Sequence, residues 1–204
     1  KDPKARVSNL IVMGMGEPLD NYEELLRFIK LVSCEKGIGI SQRNITVSTC
    51  GLVDKIRMLA DEKLQITLAI SLHAPNDEIR RQTMPIANRY TIGEIIQACK
   101  YYFDKTGRRI TFEYSMIRGV NDKEEHAKEL AGRLSGLNCH INLIPLNEVK
   151  ERNCYRSTKE DIEKFKTILE KYRKTVTIRR EMGSDIDAAC GQLRKKFLTK
   201  NGRN

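Results

Sequence analysis

Tryptophan is missing from this chain of 204 residues, histidine occurs three times, proline five times, and no apolar run approaches the length of a membrane-spanning helix, about eighteen residues. His73, His126 and His140 are far apart and share no ligand spacing, which argues against a histidine metal centre. Cysteine is present six times, but positions 34, 50, 99, 139, 154 and 190 form no Cys-x-x-Cys pair of the kind that holds zinc. With no export signal after Lys1, reduced thiols and a cytoplasmic location are the expectation. What the chain does have is 40% apolar and 31% charged residues, the balance of a soluble globular protein, in a length that suits one domain. Its 37 basic against 27 acidic side chains leave a charge of +10, which suits a polyanionic partner such as a nucleic acid met through its phosphates.

Taken in order, the chain alternates strand and helix patterns. Strands are expected at Val7 to Met13, Ile45 to Ser48, Leu64 to Leu72, Arg109 to Tyr114, His140 to Ile144 and Thr175 to Ile178. Helices are expected at Asp20 to Ser33, capped by Asp20 or Asn21, and at Leu52 to Leu59. Further helices are expected from Thr91, from Asn121 to Leu134 and from Ser157. Thr91 and Glu94 have capping-box spacing and Gly107 is a stop signal. Asp77 to Arg81 reads as a charged link. Repeated right-handed βαβ units follow, held either by a doubly wound open sheet or by a (β/α) barrel. Gly14 to Glu17, Ser48, Ser71 to His73, Glu113, Asn147 and Arg179 each fall at or just past a different strand's carboxyl end. Function drawn from nearly every strand end favours an incomplete (β/α) TIM-like barrel.

Several of these positions carry chemistry. Gly16 permits positive φ or close approach to the backbone, and Pro18 keeps Glu17 extended, so the turn can offer carbonyls and a carboxylate to an ammonium group. A tight strand-to-helix turn is the plainer alternative. Ser48 and Ser71 place hydroxyls where a ribose or a carboxylate would be met, or where they bond their own backbone. Two residues on, His73 reads as a pocket residue, and Asn147 offers two donors and an acceptor. Glu113 is expected to pair with an arginine across the barrel mouth. Cys190 sits among Asp187, Ala188, Ala189 and Gly191, with Arg179 and Arg180 about ten residues before it; nearby positive charge favours a reactive thiolate, and a small buried apolar cysteine is the plainer alternative. Arg80, Arg81, Arg118, Arg179, Arg180 and Arg194 to Lys196 are candidate phosphate contacts at the rim, and Arg108 and Arg109 belong to the far end.

Together, Met13-Gly-Met-Gly-Glu-Pro-Leu19, Ile45-Thr-Val-Ser48, Ile70-Ser-Leu-His-Ala-Pro-Asn76, Thr111-Phe-Glu-Tyr114, Asn142-Leu-Ile-Pro-Leu-Asn147 and Gly183-Ser-Asp-Ile-Asp-Ala-Ala-Cys-Gly-Gln-Leu193 resemble the dual-specificity RNA adenine-C2 methyltransferases of the radical S-adenosylmethionine superfamily. The resemblance spans essentially the whole chain. It implies a radical SAM partial barrel over residues 1–204 with a basic tail at 194–204, and methylation of adenine C2 in 23S rRNA and tRNA. It also implies S-adenosylmethionine bound by Gly16, Glu17, Ser48, Ser71, Leu72, His73 and Asn147, with Cys190 as the catalytic S-methylcysteine. A 4Fe-4S cluster and an electron-donor protein such as flavodoxin belong to the same expectation, as does a monomeric full-length protein.

The family's Cys-x-x-x-Cys-x-x-Cys motif is absent. The chain is therefore expected to be a carboxyl-terminal portion that starts at the second barrel strand, holds no metal ligands of its own and is inactive alone. The related rRNA adenine-C8 methyltransferase and a non-catalytic RNA-binding barrel module are the alternatives.

Overall fold

The computed structural model describes residues 6–14, 16–147 and 154–180. Strands β1 (Leu10–Val12), β2 (Ile45–Thr49), β3 (Thr67–Ser71), β4 (Ile110–Met116), β5 (Cys139–Pro145) and β6 (Thr175–Ile178) alternate with helices α1 (Tyr22–Ser33), α2 (Val53–Asp61), α3 (Asp77–Thr83), α4 (Ile92–Thr106), α5 (Glu124–Arg133) and α6 (Lys159–Lys171), with both α3 and α4 between β3 and β4. The strands pair in parallel in the order β1-β2-β3-β4-β5-β6.

That order decides between the two architectures. A doubly wound sheet needs a point where strand order reverses, so that helices fall on both faces. Here the order never reverses, and right-handed crossovers then put the main helix of each crossover on the same side, α3 lying instead at the strand ends. Burial agrees. Ile45, Val47, Leu68, Ile70, Phe112, Tyr114, Ile141 and Leu143 join Leu25, Ile29, Ile56, Leu59, Ile95, Tyr102, Leu130, Phe165 and Leu169 of the helices in one apolar cluster. The alternate strand positions carry the opposite chemistry. Register places Thr46 beside Thr67, Ser48 beside Ala69, and Ser71, Glu113, Asn142 and Thr177 in one row across four strands. A sheet with its covering helices on one face and polar side chains on the other is the wall of a partial barrel.

Local signals account for several element ends. Thr91 and Glu94 close a reciprocal capping box at the start of α4, and Gly107 ends that helix at φ 66°. Four expectations fail. Asp77 to Arg81 is no link but part of α3, capped by the Asn76 side chain at Ile79 N–H. The Asp20 start is replaced by a 3-10 turn over Pro18–Asn21, capped by Glu17, before α1. Asn121 does not cap α5, which begins at Glu124; it is buried and stitches the preceding turn, accepting from Ile117 N–H and donating to the carbonyls of His73 and Ser115. Ser157 gives its hydroxyl to Asp122, and Thr158 caps α6 in its place. In these last two cases the polar side chain had a tertiary partner on offer, and a cap worth about 1 kcal/mol does not outbid a buried group's need for hydrogen bonds.

Candidate cofactor site at the strand ends

The carboxyl ends of β1 to β4 converge on a connected polar patch. It begins at the turn after β1. Gly14 and Gly16 have φ of 115° and 133°, and a methyl group added at Gly16 would meet nothing within 4 Å, so the backbone there is open to close approach. Glu17 follows in extended conformation. Its Oε1 accepts from Leu19 N–H at 3.0 Å and its Oε2 from Cys50 N–H at 2.7 Å, which ties the end of β1 to the end of β2. Both partners are neutral amides, so the negative charge has no cation opposite it in these bonds.

Cys50 is held beneath this carboxylate. Burial, then the Glu17 hydrogen bond and charge, push its thiol up to about 12. It therefore stays a thiol near neutral pH and is a poor nucleophile. Cys99 and Cys139 are buried, and burial raises both thiols as well.

Arg80 supplies the next connection. From the middle of α3 its wholly buried guanidinium donates to Leu72 O at 3.2 Å, Cys50 O at 2.6 Å and Ser71 O at 3.4 Å, and its Nη1 is buried without a partner. Burial lowers its pKa. The expectation of a rim residue meeting phosphates is overturned: this arginine faces inward and braces the ends of β2 and β3. Arg81, Arg118, Arg179 and Arg180 are exposed. Arg108 donates to Thr67 at the opposite end of the sheet, as its place before β4 implies.

Glu113 is the other hub. Its Oε2 accepts from the Ser48 hydroxyl at 3.0 Å and the Ser71 hydroxyl at 3.4 Å, while its backbone carbonyl accepts from Leu72 N–H and His73 N–H. Among the described residues no arginine forms an ion pair with it.

His73 breaks the strand period with a left-handed φ of 58°. The imidazole accepts from Ser115 N–H at Nδ1, so a neutral ring carries its proton on Nε2. Burial and the Arg80 charge lower its pKa to about 4. Protonation below the usual value of 6.5 thus favours the unfolded chain: stability tied to His73 is complete above pH 6.5 and declines as pH falls towards 4, by roughly 3 kcal/mol at most. His73→Gln should flatten that part of the profile, checked by urea midpoints at pH 7 and 4.5; equal slopes in the two proteins would refute the assignment.

The structure thus joins Glu17, Ser48, Ser71, Leu72 and His73 through two residues, Arg80 and Glu113, which the sequence suggested as a rim phosphate contact and as the partner of an arginine. Leu72 itself is buried, and both its backbone groups are engaged. Asn147 lies two residues past β5, partly exposed. Cys190 falls outside the described residues. A pocket of about 420 Å³ flanks Gly16 and Glu17, lined also by Val12, Met13, Leu25 and Phe28. It opens beside β1 and none of Ser48, Ser71 or Glu113 lines it. Among the described residues no three His, Cys, Asp or Glu side chains are placed to hold a metal ion, and no helix is long and apolar enough to cross a membrane.

Comparison with known proteins gives consistent results. Residues 2–131 match the model of the radical SAM superfamily. The chain is 62% identical over 193 residues to a protein of Lachnospira eligens named as a probable dual-specificity RNA methyltransferase RlmN, covering 95% of this chain and 55% of that protein. A protein of the same name from Clostridium perfringens is 58% identical over 197 residues, covering 97% and 57%. The chain spans little more than half the length of these relatives. Among solved structures, a radical SAM methyltransferase from Sphaerobacter thermophilus superposes with a TM-score of 0.87 at 49% identity, over 91% of this chain and 55% of that one. A domain of a pyruvate-formate lyase-activating enzyme from Bacteroides vulgatus shares the fold at 21% identity, with a TM-score of 0.64 over 85% of this chain and 100% of that one.

Proposed function

Because this chain belongs to the radical SAM superfamily, we propose that it forms the S-adenosylmethionine-binding part of a methyltransferase acting on adenine C2 in 23S rRNA and tRNA. The observation that carries this reading is the patch at the ends of β1 to β4, where a carboxylate at an open glycine turn is tied through Cys50 and Arg80 to the strand ends that carry two serine hydroxyls and a histidine. S-adenosylmethionine presents an ammonium group and a ribose diol. Glu17 has the acceptor capacity for the ammonium group, since a carboxylate offers about four lone-pair sites and two are used by amides. Gly16 leaves room for it.

S-adenosylmethionine would supply the methyl group, and Cys190 is the residue proposed to carry it as S-methylcysteine. C2 of adenine is an electrophilic carbon with no nucleophilicity towards a sulfonium methyl, so direct displacement cannot serve and a protein-bound carrier is needed. The described cysteines do not fit an iron–sulfur cluster: no set of them converges, and Cys50 and Cys99 are held as thiols. No step through a cluster is therefore assigned to this chain. Pro18-Leu19 after Gly16-Glu17, together with relatives named for dual specificity, favours C2 over C8. The exposed Arg81, Arg118 and Arg179, with the net charge of +10, suit RNA phosphates.

The test is a peptide mass measurement on the full-length protein purified from cells. One extra methylene on the peptide containing Cys190 is the expected result. An unmodified thiol, in protein supplied with cluster and S-adenosylmethionine, would end that role for Cys190 and return the chain to a non-catalytic RNA-binding barrel.

A further inference from the structure

Ser48 and Ser71 are each compatible with a ribose hydroxyl or with a carboxylate as long as their protons are free to rotate. The structure removes that freedom. A serine hydroxyl has one hydrogen and two lone pairs. Both hydroxyls donate to the same oxygen, Oε2 of Glu113, closely from β2 at 3.0 Å and more weakly from β3 at 3.4 Å, and a carboxylate oxygen can only accept. Glu113 is itself nearly buried, at 7% exposure, and its backbone carbonyl also takes the N–H groups of Leu72 and His73. What remains outward from the two serines is lone pairs, backed by a negative charge.

We propose that Glu113 is a positioning residue that fixes the direction of the Ser48 and Ser71 hydroxyl protons and so makes this wall of the site accept hydrogen bonds only. Such a wall repels a carboxylate and takes a group that donates. It therefore orients the ligand: the ribose hydroxyls lie against β2 and β3, the ammonium group lies at Glu17, and the methionine carboxylate points away from both serines. This inference rests on the S-adenosylmethionine reading above.

The experiment is calorimetric titration of the full-length, cluster-loaded protein with S-adenosylhomocysteine and with its 2′-deoxy and 3′-deoxy analogues. An acceptor wall that loses its donor leaves buried polar groups unpaired, so at least one deoxy analogue should bind about 10- to 100-fold more weakly than the parent. Glu113→Leu keeps roughly the side-chain size but removes the oxygen to which both serines donate, so their protons are free to turn outward. In that variant the preference for the parent should fall to within about threefold, as a ligand-by-residue cycle reads it. The double variant Ser48→Ala/Ser71→Ala removes the hydroxyls that form the wall, and should lose the preference in the same way if Glu113→Leu proves poorly folded.

An unchanged ratio of parent to analogue in both variants, even with weaker binding overall, would leave Glu113 a structural residue and overturn the proposal. Equal binding of parent and both analogues by the wild-type protein would overturn it too. A wild-type protein that binds none of the three would instead bring down the cofactor reading on which it rests.

Discussion

Arg80→Ala is expected to destabilise the fold by about 3 to 5 kcal/mol, more than any exposed arginine would. The guanidinium is fully buried and gives hydrogen bonds to three carbonyl oxygens, those of Cys50, Ser71 and Leu72. Removing it leaves those oxygens inside the protein without this donor, each at about 1 to 3 kcal/mol, and opens a cavity beside Ile95 and Gly51. Part of that cost is offset, because burying the cation is itself unfavourable and Nη1 has no partner.

For a chain of this size a loss of 4 kcal/mol corresponds to a fall in Tm of roughly 8 to 16 °C, measurable by thermal denaturation. Arg80→Lys should recover less than half of it, since an ammonium on a single stem cannot reproduce the fork that spans two strand ends. A fall of under about 2 °C for Arg80→Ala would show that the three carbonyls find other donors and that the brace is dispensable.

Glu17→Gln carries the largest expected effect on binding. The two oxygens of the native carboxylate accept from Leu19 N–H and Cys50 N–H. A glutamine amide keeps one acceptor and turns the other position into a donor, which then faces an N–H group. The same change removes the negative charge proposed to meet the ligand's ammonium group. A charge-assisted bond lost together with a mismatched amide amounts to about 3 kcal/mol, or roughly 100-fold in affinity for S-adenosylhomocysteine. Calorimetry on the full-length protein reads this directly, and melting temperature separates it from general unfolding. Affinity within about threefold of wild type in a folded variant would remove Glu17 from the ligand site.

The two substitutions act on neighbouring groups, because Cys50 offers its N–H to Glu17 and its carbonyl to Arg80. Their effects on ligand binding should therefore be non-additive. Arg80→Ala loosens the strand end that Glu17 grips, so part of its effect on affinity passes through the same peptide.

Much of this protein was legible in the amino-acid sequence because the signals involved are local. Apolar periodicity placed all six strands, β6 at its observed bounds, and the Thr91 to Glu94 box and Gly107 marked the ends of α4. Those features need only residues within about four positions of one another, or a pattern repeated along one element. The motifs at the strand ends could be seen too, as unusual residues following apolar runs.

The tertiary structure decided the rest, since the partners are distant in sequence. The unusual residues at the strand ends already favoured a partial barrel, but the strand order that never reverses decided it, and order is a property of pairing. Arg80 looked like one more surface cation of a basic chain; only the packing of α3 against the ends of β2 and β3 shows it to be buried, thirty residues from the carbonyl it grips most closely. Asn121 and Ser157 carried good cap signals but are themselves buried, and bond Ile117 N–H and Asp122 instead. Glu113 and Ser48 are separated by 65 residues, and the direction of a hydroxyl proton depends on which oxygen the fold brings within 3.0 Å. A sequence states which groups are available for hydrogen bonding; the fold sets which of them meet, because the cost of leaving a buried polar group unpaired is paid only once the chain has closed around it.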